Sequence, residues 1–189
     1  MSKSKEERTL FLLKPDGVKK GLIGEVIKRI ENTGLKIVAL KVVNPTKDLI
    51  EGHLPNTDEW LIGMGNKTLG DYQEKKIDPV KEMGTDDPLV IGKEIKGWLV
   101  EFLTSGVIVA GIVQGNRAIE IVRKIMGNTL PINAAPGTVR GDFSTDSPSL
   151  ANTEKRAIQN ITHASGNETE VAQEIANWFK PEEIAEYND

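Results

Sequence analysis

The chain has no cysteine, which excludes disulfides, thiolate nucleophiles and cysteine-based zinc sites. Histidine is nearly absent too: His53 and His163 are the only two, and no H-x-x-x-H or carboxylate-rich pattern suggests a metal held by the protein itself. No apolar run approaches the length of a membrane span. The polar stretch Met1 to Arg8 leads into no apolar leader segment, so the expected compartment is the cytoplasm. Basic charge is not in excess, with 24 Lys and Arg against 28 Asp and Glu and a net charge of −4. That balance argues against general nucleic-acid binding, which needs a basic face to release counterions. Two common phosphate-binding signatures are also missing. There is no G-x-x-x-x-G-K-[ST] and no G-x-G-x-x-G, and Gly63-Met64-Gly65 is a fragment that means nothing alone.

What remains is an ordinary globular composition, 38% apolar and 28% charged over 189 residues. This length suits one domain, read here as residues 1–189. Leu10 to Leu13 is a short apolar run stopped by Pro15 and an Asp16-Gly17 turn, and reads as a buried strand. Leu22, Ile23, Val26, Ile27 and Ile30 then recur on one helical face, and Gly34 closes that helix. Leu35 to Val43 reads as a second strand, and Val107 to Val113, β-branched and nearly all apolar, as a central one. Ala118, Ile121, Val122, Ile125 and Met126 mark another helix, stopped by Gly127. Asn160 to His163 fits a last short strand, and Val171, Ile175, Trp178 and Phe179 a C-terminal amphipathic helix. The order β-α-β, β-α-β predicts a ferredoxin-like α+β sandwich, a four-stranded antiparallel sheet with helices on one face.

Two stretches lack clear periodicity. Residues 56–94 show at best weak helical signals around Thr68 to Lys76, and residues 127–159 carry Pro131, Pro136 and Pro148. Loops this long in a compact domain tend to be functional or mobile.

With so few nucleophiles to choose from, His163 stands out. It sits at a strand-to-helix junction, where Ser165 and Glu168 have the spacing of a capping box. An imidazole with a reference pKa of about 6.5 is mostly neutral at pH 7 and so nucleophilic. Glu174 on the following helix is placed to fix its tautomer. On local features alone, a structural histidine at a helix cap is the simpler reading. His53, among Gly52, Leu54 and Pro55, reads as a surface residue.

The sequence Asn160-Ile161-Thr162-His163-Ala164-Ser165 resembles the active-site signature of nucleoside diphosphate kinases, Asn-x-x-His-Gly/Ala-Ser. Three further segments are similar to that family in the same order. They are Glu7 to Val18 with its Lys14-Pro15-Asp16-Gly17 turn, Pro136 to Phe143, and Trp178 to Glu183. The resemblance implies transfer of the γ-phosphate of a nucleoside triphosphate to a diphosphate through a phosphohistidine on His163, with Mg²⁺ carried by the nucleotide. It implies that Lys14 contacts the transferred phosphate, that Arg123, Thr129 and Arg140 hold phosphates, and that Asn160 binds ribose and phosphates. It makes Glu174 the hydrogen-bond partner of the imidazole, steadied by Ser165. Singly, each of these residues has an ordinary structural reading. It also implies a homo-oligomer, usually a hexamer, formed through the apolar sheet and the Pro-rich loop.

This chain departs from the family pattern in several places. Ile95, with Leu99 one turn on, stands where the family has an aromatic base platform, and Leu54 stands where it usually has a tyrosine. Residues 56–94 form an insert and residues 144–155 a longer loop, both expected to flank the nucleotide site; peripheral decoration is the equal alternative. The altered base platform and Leu54 favour the rival reading of a catalytically silent nucleotide-binding scaffold, while retention of His163, Lys14, Arg123, Arg140, Asn160 and Glu174 argues the other way. A nucleic-acid-binding ferredoxin-like module is a second rival. It needs paired strand aromatics, whereas the two strands in question carry only Phe11.

Overall fold

Two uninterrupted apolar runs, Leu10 to Leu13 and Ile108 to Val113, are buried at every position and form the middle of a sheet. The structure, a computed structural model, describes residues 6–187, so the first five residues of the polar N-terminal stretch lie outside the described part. The first half runs β1 (Glu7–Leu13), α1 (Pro15–Lys19), α2 (Ile23–Glu31), β2 (Lys36–Val43), α3 (Lys47–His53), α4 (Asp58–Lys75), α5 (Pro79–Met83) and α6 (Pro88–Thr104). The second runs β3 (Ile108–Gly115), α7 (Ala118–Met126), α8 (Val139–Phe143), α9 (Pro148–Thr153), β4 (Thr162–Ala164) and α10 (Glu168–Trp178). All pairings are antiparallel in the order β2-β3-β1-β4, with Leu12 opposite His163 and Leu12 also opposite Ala110. This is the ferredoxin-like arrangement expected from the sequence.

Helices cover both faces of this sheet, not one. Phe11, Leu13, Val109 and Val113 pack with Val26 and Ile30 of α2 and Val122 and Met126 of α7. Leu10, Leu12, Ile108, Ala110 and Ile112 pack with Ile50 of α3, Leu103 of α6 and Trp178 of α10. The physical reason lies in the strands themselves. A run apolar at every position has no polar face to leave in water, so it must be covered twice. β4 also starts later than expected, at Thr162, because Ile161 adopts φ +69 and breaks the extended path.

The stretch 56–94 is helical, contrary to the expectation of weak helical signals. α4 buries Leu61, Gly65, Thr68 and Tyr72, a stripe of regular helical spacing in which two positions are not apolar. Its faint periodicity has a packing cause. A Cβ on Gly65 would lie 1.9 Å from the Pro88 carbonyl oxygen, and one on Gly92 would lie 2.0 Å from that of Leu61. The two helices therefore touch backbone to backbone, at sites where only glycine fits. Their starts are capped by Thr57 and Asp87, the latter followed by Pro88 at the first helical position.

This packing predicts opposite signs for one substitution on one helix. Gly70 has nothing within 4 Å of a Cβ, so Gly70→Ala should stabilise by roughly 0.5–1 kcal/mol through helix propensity. Gly65→Ala should instead destabilise by about 1–3 kcal/mol by forcing α4 from α6. Denaturant midpoints of the two variants check this, and equal signs would contradict the packing.

Candidate active site

At one end of the sheet a cavity of about 350 Å³ opens between strand ends and α7. Its lining includes Lys14, Arg123, Thr129, Arg140, Asn160 and His163, so six of the residues expected from the sequence converge on one space. A groove of about 420 Å³ between α3 and α6 is somewhat larger, but its lysines alternate with Glu51 and Glu101, so it gathers no charge of one sign.

Three cations line the cavity, each set differently. Lys14 leaves the end of β1 with its ammonium 2.7 Å from Asn160 Oδ1. Burial, and then the neighbouring Arg140 charge, bring its pKa down to about 8, with Asp16 opposing them. Arg140 is 7% exposed and its fork is largely committed to backbone. It donates to the carbonyls of Asn160 (3.1 Å), Gly127 (2.6 Å) and Thr162 (2.7 Å). Burial, followed by the Arg123 charge, lowers its pKa to about 10, which still leaves it a cation at neutral pH. It therefore ties together two segments of the cavity wall and leaves part of its fork unbonded. Arg123 on α7 has no hydrogen bond or ion pair to any described residue. It is the free one of the two guanidiniums.

Asn160 serves as a bracket in this state: its oxygen accepts from Lys14 and its amide donates to the Thr129 carbonyl at 2.8 Å. The turn beneath it is held by Asp16, to which the sequence reading gave no role. Ile161, in its left-handed conformation, donates its N–H to Asp16 Oδ2 at 2.9 Å, and Lys14 N–H donates to the Ile161 carbonyl at 2.8 Å. Gly17 is required by the same contact, since a Cβ there would meet Ile161 O at 3.0 Å and Leu13 Cδ1 at 2.7 Å. An Asp two residues after the strand-end lysine, followed by Gly, was the available signal.

His163 sits on β4 with its side chain 26% exposed, and its Nε2 is 2.8 Å from Glu174 Oε1. The second carboxylate oxygen accepts from Ser165 Oγ at 2.5 Å. Burial pushes the Glu174 carboxyl up, but the His163 hydrogen bond and charge, with Ser165 and His53, hold it below the usual carboxylate value. An ionised Glu174 can only accept, so Nε2 carries the proton and Nδ1 keeps the lone pair. Ser165 is thus not a helix cap, as the capping-box reading expected. Asn167 caps α10 by accepting from Glu170 N–H, and the Glu170 carboxylate in turn accepts from Gly166 N–H.

His53 is not a surface residue. Its side chain is 4% exposed and its ring stands edge-on to His163, with centroids 4.6 Å apart, and to Trp178 at 5.6 Å. Its Nδ1 lies 3.6 Å from Glu174 Oε1 with no hydrogen-bond partner. Burial, and then the His163 charge, lower its pKa to about 3, so it is neutral at any ordinary pH. The flanking Gly52 and Pro55 misled the reading; Ile50 and His53 share the buried face of α3. His53, His163 and Glu174 offer metal-type donors all within 4.8 Å of one another. A metal there would take Nε2 from Glu174, so the cluster is better described as a hydrogen-bonded His163–Glu174 pair with the His53 ring packed edge-on beside it. Ile95 and Leu99 stand half-buried on α6 and do not line the cavity.

The family model for nucleoside diphosphate kinase matches residues 7–60 and 91–184. A nucleoside diphosphate kinase of Pyrobaculum aerophilum is 52% identical over 180 residues, spanning 95% of this chain and 98% of that protein. The crystal structure of an NDP kinase from the same organism aligns with a TM-score of 0.93 at 50% identity, covering 96% of this chain and 100% of that one. A Borrelia burgdorferi nucleoside-diphosphate kinase, solved as a transition-state mimic with bound vanadate and ADP, aligns with a TM-score of 0.75 at 35% identity, covering 97% and 93%. On these matches the chain belongs to the nucleoside diphosphate kinase family and is a phosphotransferase acting on nucleotides.

Proposed function

We propose that His163 carries the phosphoryl group between nucleotides, with Nδ1 as the nucleophile. The observation that carries this reading is the Glu174 hydrogen bond to Nε2, which leaves one ring nitrogen with a lone pair on a residue lining a cavity of three cations. In the first half-reaction Nδ1 forms a bond to the γ-phosphorus of a nucleoside triphosphate as the bond to the bridging oxygen breaks. The diphosphate leaves, a second diphosphate enters, and its terminal oxygen takes the group from nitrogen. Glu174 stabilises the ring as it gains positive character. Such transfer asks the protein for placement and charge neutralisation more than for covalent machinery. Arg123 has its whole fork available for that, and Lys14 supplies a point charge.

Mg²⁺ is expected to arrive on the nucleotide's phosphates, where it neutralises oxygen charge. The carboxylate among the described lining residues, Glu170, is already held by Gly166 and Asn167, so no acidic cage competes with the phosphates for the ion. Ile95 and Leu99 would offer the base an aliphatic surface from α6, which implies broad base selectivity. We further infer a cytoplasmic homo-oligomer, a hexamer by analogy. Leu40 and Val42 are exposed on edge strand β2, and Ile132 on the Pro-rich loop, at 46%, 69% and 75%, and these surfaces support assembly.

Incubation with γ-³²P-ATP and Mg²⁺ should give acid-labile, alkali-stable label on the wild type, discharged by GDP, and none on His163→Ala. Nucleotide binding without label would favour the silent scaffold, the reading to which the aliphatic platform and Leu54 point. A second outcome concerns pH. The phosphate-binding form of Lys14 is the protonated one, present below its lowered pKa and lost above it. In the wild type kcat/KM should therefore fall as pH rises through about 8. Lys14→Arg, slower overall, should keep a flat profile there; an unchanged alkaline limb in that variant would assign the limb to another group.

A further inference from the structure

The insert is joined to the site by a glycine contact, several hydrogen bonds and the short runs of chain between them. At its near side, α4 is fixed to α6 by the glycine contacts at Gly65 and Gly92, and α6 bears Ile95 and Leu99. At its far side, Asp71 on α4 accepts from Asn152 Nδ2 at 3.1 Å, while its other oxygen pairs with Lys75. Asn152 lies on α9 and is 8% exposed, so this bond is shielded from water. Lys155, just beyond α9 and left-handed at φ +49, donates to the carbonyl of Glu82 in α5 at 3.0 Å. α9 is therefore held to the insert at two points.

From α9 the contacts continue inward. Arg156 grips Asp146 through both terminal nitrogens, at 2.6 and 3.0 Å. Asp146 Oδ2 also accepts the N–H of Gln159 at 2.7 Å, and Ser144 Oγ donates to the Gln159 carbonyl at 2.7 Å. The next residue is Asn160, whose side chain holds Lys14 and the Thr129 carbonyl in the cavity. No member of this chain of contacts between Asp71 and Gln159 belongs to the phosphate-binding set.

We propose that α4 is a brace across the nucleotide site, in which Asp71 and Asn152 act as positioning residues. They hold the backbone entering Asn160 at a fixed distance from the Ile95 and Leu99 face of α6, the surface proposed above for the base. This deepens the kinase reading and rests on it. The brace takes no part in moving phosphate. Its effect is to assemble the base side of the site before nucleotide arrives, so that less binding energy is lost to ordering two walls.

The test is a set of variants, Asp71→Ala, Asn152→Ala and their double, with Asp71→Asn as the conservative control. Each is assayed for KM and kcat with ATP and GDP. Each is also assayed for His163 phosphorylation by phosphoramidate, a phosphoryl donor with no base. The brace predicts a rise in nucleotide KM on the order of 3- to 10-fold with kcat retained, and an unchanged rate with phosphoramidate. The double variant should match the singles, because either change opens the same bond. Asp71→Asn keeps an acceptor and should keep wild-type KM. Unchanged KM in folded variants would make the insert peripheral decoration. Equal losses with nucleotide and phosphoramidate would mean general loosening, and either result overturns the brace. Should Asp71→Ala fail to fold, Asn152→Ala decides from the partner side. A wild type that takes no acid-labile phosphate from ATP would overturn the kinase reading itself, a result distinct from any of these.

Discussion

The Glu174 carboxylate is the point on which the site turns. It is buried on α10, a position that costs an ionised group heavily unless its oxygens are bonded. His163 takes one oxygen and Ser165 the other, while neutral His53 fills the space beside them without adding charge. The carboxylate stays ionised, and that decides which nitrogen of His163 carries a proton. The sheet exists in this form to serve the same geometry: β4 is three residues long, yet its pairing with β1 sets His163 opposite Leu12, at the end where Lys14 emerges.

The remainder of the cavity is held by backbone. Arg140 joins three carbonyls from two segments, and Asp16 holds the left-handed Ile161 below Asn160. Strand ends and short turns fixed in this way move little, which suits a reaction that depends on placement. Of the described cavity cations, Arg123 alone has a wholly uncommitted fork. The α4–α6 region is built differently, from helices that a glycine seam and a few polar bonds hold together.

The strands and the two helices on the Phe11 face were legible because their signal is direct: apolar runs, 3.6-residue spacing and glycine stops. In the second layer α10 was legible by the same spacing, whereas α3 and α6 were not, because their need follows only from strands apolar on both faces. α4 was hidden by Gly65 and Thr68, which occupy buried positions without looking apolar. Six cavity residues were legible through the resemblance, as was the pairing of Glu174 with His163. A glycine and a proline near His53 suggest a surface turn that the fold does not make, and the local spacing at Ser165 suggests a cap, whereas the resemblance pairs Ser165 with Glu174, as its bond does. Asp16 was in view within the Lys14 turn, but its role needs Ile161, far away in the chain, and no local pattern contains that contact.

The measurement that bears most directly on this account is the position of the phosphate on the histidine ring. The wild type would be phosphorylated with ATP and examined under alkaline conditions by ¹H–³¹P and ¹⁵N correlation spectroscopy, with His163 labelled. The Glu174 hydrogen bond at Nε2 predicts phosphate on Nδ1. Phosphate on Nε2 would mean that Glu174 does not hold that nitrogen in the working enzyme, and would contradict the account at its centre.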